Sequence, residues 1–127
     1  MKMSEHHAWF IKGKTHTVEI KCWQWSETEW AWNVYAHIFE THPLFGNPKR
    51  IYENAPLSGG CTYDKAEISS PYQGVVYDHQ RINRKYVFGC DYKHIWDDDY
   101  SNNTHENMPW KVKSDAEILF EWLENAK

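Results

Sequence analysis

Apolar and polar residues alternate with a period of two over residues 16–24 and again over residues 30–38, the pattern of paired strands. Val18, Ile20 and Cys22 share one face of the first segment; Trp30, Trp32, Val34, Ala36 and Ile38 share one face of the second. Pairing Gln24 with Trp30 brings all of these to the same side of a sheet. That register leaves residues 25–29 as a five-residue loop with Trp25 in it, a length that hairpins use. The opposite face carries Trp23, Tyr35, His37 and Phe39, so the hairpin is expected to be central in its sheet or covered on both sides.

Further strands are expected at residues 61–68, 74–78 and 84–92. In the last of these Tyr86, Phe88, Cys90 and Tyr92 fall on one face, and Val87 and Gly89 on the other. Residues 1–7 lack an apolar period and read as a mobile terminus. Residues 40–60 read as a long connection, because His42-Pro43, Gly46-Asn47-Pro48, Ala55-Pro56 and Ser58-Gly59-Gly60 punctuate it and leave no room for a long helix. Leu44, Phe45, Ile51, Tyr52 and Leu57 would anchor it. Residues 97–109 read as a polar, acidic loop. The chain closes on a helix: Ser114 suits an N-cap with Glu117 completing a capping box, and Ile118, Leu119, Trp122 and Leu123 recur at helical spacing. The expected fold is one α+β domain over residues 1–127, an antiparallel sheet of about five strands with a C-terminal helix packed on it.

Composition sharpens this reading at one point. Eight Trp, eight Tyr and five Phe make 17% of the 127 residues aromatic, while the mean hydropathy is only −0.83. Rings in such excess over a polar background must line a surface or cleft as well as a core. A net charge of −4 and a pI near 6.0 argue against general binding to nucleic-acid phosphates. No apolar run approaches the roughly 20 residues needed to cross a bilayer, and no leader pattern follows Met1. Three cysteines without dense spacing do not make a disulfide framework, so the expectation is a cytoplasmic protein with reduced thiols.

The densest chemistry lies where the last expected strand meets the acidic loop, in Cys90-Asp91-Tyr92-Lys93-His94-Ile95-Trp96-Asp97-Asp98-Asp99-Tyr100. His94 with Asp97 or Asp98, and His105 with Glu106, have the residue types of acid–base pairs. No nucleophile elbow or phosphate loop accompanies them: Ser58-Gly59-Gly60 is followed by no Gly-Lys-Ser/Thr. A calcium loop begun at Asp97 places Asp99 and Ser101 well, but sets Asn102 where glycine is needed and Met108 where a bidentate Glu is needed. Cys90 and His94, with Cys22, Cys61, His16 or His37, are zinc-ligand types without zinc-ligand spacing. No metal and no cofactor are therefore expected, and the acidic triplet reads as a solvated patch suited to a basic partner.

Several segments carry a resemblance: residues 30–38 (Trp-Ala-Trp-Asn-Val-Tyr-Ala-His-Ile), Pro43-Leu44-Phe45, residues 58–62 and Gly89-Cys90-Asp91-Tyr92-Lys93-His94. In these the chain resembles small phage- and plasmid-borne bacterial proteins of unassigned function. The resemblance supplies no catalytic residues; it implies an accessory protein of a mobile element, with a host defence system as its target. The expected function is a small binding protein that engages a host protein with a basic surface. Tyr92, His94, Trp96, Asp97, Asp98, Asp99 and Trp25 are its candidate binding residues. The alternatives are a protein that sequesters a small nucleotide between Trp rings and a small hydrolase using His94, Asp97 and Asp98.

Overall fold

The computed structural model describes residues 6–24, 26–57, 63–68, 84–92 and 100–126. In chain order these form β1 (His6–Lys12), β2 (His16–Gln24), β3 (Trp30–Phe39), α1 (Pro48–Asn54), β4 (Tyr63–Ile68), β5 (Arg84–Asp91) and α2 (Trp110–Glu124). The strands make one antiparallel sheet in the order β1-β2-β3-β5-β4.

The β2–β3 hairpin has the expected register, with Gln24 opposite Trp30 and Val18 opposite Ala36. Val34 faces Cys90 and Ala36 faces Phe88, so β5 adds its even positions to the same side. Val18, Ile20, Cys22, Trp32, Val34, Ala36, Ile38, Phe88 and Cys90 are all buried there. The α2 helix packs across β2 and β3 and closes this face with Val112, Ala116, Leu119 and Leu123. One layer of sheet and one helix thus share a single apolar core, the α+β arrangement read from the sequence.

The sheet is not assembled from the five expected segments. Four of them are present, while residues 74–78 lie outside the described residues. The other member is β1, in the stretch read as a mobile terminus: His6 and His7 are its first two residues and pair with Trp23 and Cys22. Its apolar residues run together as Trp9-Phe10-Ile11 and do not alternate, which hid a strand open on one side. The connection over residues 40–60 contains α1, whose Pro48 sits in the first turn, where a missing N–H costs no helical bond. Leu44 and Ile51 anchor the connection as expected, but Tyr52 is exposed.

The last helix begins one turn earlier than its capping box implied. Pro109 occupies the N-cap position, no side chain caps the helix there, and Ser114 lies inside it. Starting at Trp110 brings Val112 into register with Ala116, Leu119 and Leu123 as the buried stripe. Ile118, assigned to that stripe from the sequence, is 49% exposed. Burial of an extra apolar position outweighs a cap contribution of about 1 kcal/mol. At the other end of α2, His42 serves as a side-chain cap: its Nε2–H donates to the Leu123 carbonyl at 3.0 Å, and its Nδ1 accepts the Leu44 N–H at 3.0 Å.

Candidate functional site

Tyr92, at the end of β5, faces inward. It is buried, and its hydroxyl donates to Asp115 Oδ2 at 2.8 Å. Burial, the neighbouring Cys90 and the Asp115 carboxylate all push the phenol pKa upward, so the proton stays on Tyr92. Lys111 holds the same carboxylate at 3.2 Å. Tyr92 therefore joins the sheet to α2 and presents no free face to a partner. His94, Trp96, Asp97, Asp98, Asp99 and Trp25 lie outside the described residues, as do both His94–carboxylate pairs. The other expected pair, His105 with Glu106, is loose at 3.7 Å.

His105 instead acts as a ring. It stacks on His7 with centroids 3.7 Å apart and planes 11° from parallel, and it stands 5.5 Å from Trp30. Trp9 stacks on Trp32 at 5.8 Å and 12°. Strand parity produces this pavement: His7, Trp9 and Ile11 of β1 face Cys22, Ile20 and Val18 of β2, so the odd positions of β1 join the core side of the sheet. The segment after residue 100 is pinned across the same end. Trp30 N–H donates to the Ser101 carbonyl at 2.8 Å, and the Trp32 indole N–H to the Asn103 carbonyl at 3.0 Å.

Beside the pavement, between β1 and α2, lies a groove of about 530 Å³. Trp9, Ile11, Ile20, Met108 and Phe120 form its apolar floor, and Lys113, Glu117 and Glu121 its charged rim. The geometry follows from helix period and strand order. Residues 113, 117, 120 and 121 fall along one side of α2, while the helix sits over β2 and β3 and leaves β1 only partly covered. Glu117 and Glu121 are exposed, one turn apart, and neither makes an ion pair among the described residues. A cavity of this volume, apolar inside with a few charges at its mouth, has the character of a binding site. Its signal in the sequence was the acidic ridge of the last helix, which has no meaning until β1 is recognised as its opposite wall.

The other face of the sheet carries polar pairing. His37 Nε2–H donates to Glu19 Oε1 at 2.8 Å across β2 and β3. This bond, supported by the charges of His37, Lys21 and Lys85 and opposed by burial, holds the Glu19 carboxyl below its usual range. The pair is a His–carboxylate couple that ties β2 to β3. Gly89 lies on this face opposite Tyr35, whose ring passes over it. Cys22 and Cys90 are buried thiols on the core face, separated by β3, and burial pushes the Cys22 thiol up to about 12. Among the described residues, no cluster of three or more His, Cys, Asp or Glu is placed to hold a metal ion. No described helix is long and apolar enough to cross a membrane.

No protein family, curated protein or solved structure matches the chain.

Proposed function

We propose that the chain is a binding protein that acts by contact with another protein, and that its partner offers basic and apolar side chains together. The groove between β1 and α2 carries this reading. Its Trp9 and Phe120 floor provides the aromatic anchoring that dominates protein contacts, and Glu117 and Glu121 at its rim select for positive charge. The net charge of −4 favours the same partners at long range, and Asp97, Asp98 and Asp99 are assigned a share of that steering. With the resemblance to mobile-element proteins, the partner becomes a host protein in the cytoplasm, and inhibition of a defence protein is the effect to screen for first.

The test compares the immobilised protein with its Glu117→Lys/Glu121→Lys variant in a bacterial host lysate. Both positions are exposed on a helix, so the variant keeps the fold. A protein retained by the wild type and lost by the variant supports the reading; equal retention by both removes the groove from it. Incubation with a nucleotide panel, followed by mass, addresses the two other functions. Turnover would make the chain an enzyme, and stoichiometric retention a nucleotide-sequestering protein.

A further inference from the structure

We propose that the partner enters as an added strand along the free edge of β1, supplying an extended segment in which basic and apolar residues alternate. This rests on the groove-binding reading above and specifies the form of the partner.

β1 is the first strand of the sheet. All seven of its residues pair with β2 in unbroken register, from His6 opposite Trp23 to Lys12 opposite Thr17, so the strand holds no bulge. No described segment pairs with its outer edge. In an antiparallel strand, alternate backbone N–H and C=O groups point away from the paired neighbour, so this edge is a row of donors and acceptors without a partner among the described residues. Edge strands are usually blunted by Pro, a bulge, or charges along their length. The sequence His-His-Ala-Trp-Phe-Ile-Lys has none of these except Lys12 at its last position.

The two sides of the edge differ, and that difference defines the occupant. Side chains of an added strand that project toward α2 would enter the groove mouth beside Trp9 and Ile11, under Glu117 and Glu121. Arg or Lys suits these positions, with the aliphatic stem on the rings and the charged head at the carboxylates. Side chains on the opposite side meet Phe10, which is 52% exposed, and there apolar residues fit. Lys113 at the far end of the ridge repels a basic residue and so fixes the register. A second copy of this chain fits less well. Two-fold pairing about Trp9 would set His6 opposite Lys12 of the second copy and send His7, Trp9 and Ile11 toward α2, with no Arg or Lys for the two carboxylates.

The probe is a seven-residue peptide alternating valine and arginine, acetylated and amidated, titrated into the isotope-labelled full chain and followed by nuclear magnetic resonance. Strand addition predicts intermolecular backbone contacts to His6–Lys12 and slowed exchange of alternate β1 amides. It also predicts about tenfold weaker binding for Glu117→Lys/Glu121→Lys. Methylating the peptide's alternate backbone nitrogens should abolish binding for one set and spare the other. Binding confined to the groove and α2, without protection of β1, overturns the strand mode and leaves the groove reading standing. A probe-free dimer with protected β1 amides overturns it in favour of a second copy. Failure of the probe to bind also overturns it. If no lysate protein depends on the groove either, the binding function falls with it.

Discussion

Among the described glycines, Gly89 is the one where an added carbon should do the most damage. It lies in β5, flanked by β3 on one side and β4 on the other, with Tyr35 as its β3 partner. A Cβ built at Gly89 would run into the Val34 carbonyl oxygen, and would stand 2.9 Å from Tyr35 Cα and 2.7 Å from Tyr35 Cδ1. Two of these three atoms are backbone, so no rotamer change relieves them, and β5 must move away from β3. Overpacking of this kind costs about 1–3 kcal/mol. Each ladder hydrogen bond stretched by the movement adds about 1 kcal/mol. For Gly89→Ala the expected loss is about 3–4 kcal/mol, a large part of the stability of a domain this size. Urea denaturation followed by circular dichroism measures it. The double variant Tyr35→Ala/Gly89→Ala should recover little, because the backbone conflict persists. A loss below about 1 kcal/mol, or full rescue by Tyr35→Ala, would refute the close approach of β3 and β5.

The remaining predictions concern single contacts. Tyr92→Phe removes the hydroxyl donor from the Asp115 carboxylate, which keeps Lys111, and should cost about 1.5–3 kcal/mol in the same denaturation assay, the range for a hydrogen bond to a charged group. Cys22, with its thiol pushed up to about 12 by burial, should resist a thiol reagent at pH 8 in the native protein and react once urea unfolds it. His42 has its pKa lowered, chiefly by burial, so the unfolded chain binds its proton first and stability should decline as pH falls below about 6.5. Glu19 has its carboxyl pKa lowered by the His37 hydrogen bond, so its contribution is present above the usual carboxylate range and should be lost as pH falls through about 4.5. Glu19→Gln should flatten that second limb in a pH series of thermal melts and leave the first unchanged.

The strand pairings were legible where both faces of a segment obeyed the period of two. Gln24 opposite Trp30 follows from the even apolar positions of two long segments, because a shift by one residue would have buried Glu19 and Lys21. β1 was not legible for the same reason in reverse: at the sheet edge one face is half open, so Trp9, Phe10 and Ile11 need not alternate. The start of α2 was obscured because Ser114 and Glu117 satisfy a local capping pattern, while the helix is fixed by Val112 meeting the core. Tyr92 was legible as a strand residue but not as a bonded one, since its partner Asp115 is 23 residues away. The groove was hidden for want of one wall. Its acidic ridge resembles any solvated helix face until β1 is placed beside it.

Partner contact is assigned to β1 and the adjoining side of α2. Amide hydrogen exchange on the full chain, with and without a protein captured in a groove-dependent manner from lysate, reads out that placement residue by residue. Slowed exchange on partner binding should concentrate in His6–Lys12 and Trp110–Glu124, with β5 unchanged. Protection falling instead on Arg84–Asp91 and the residues that follow it, with β1 and α2 unaffected, would contradict it.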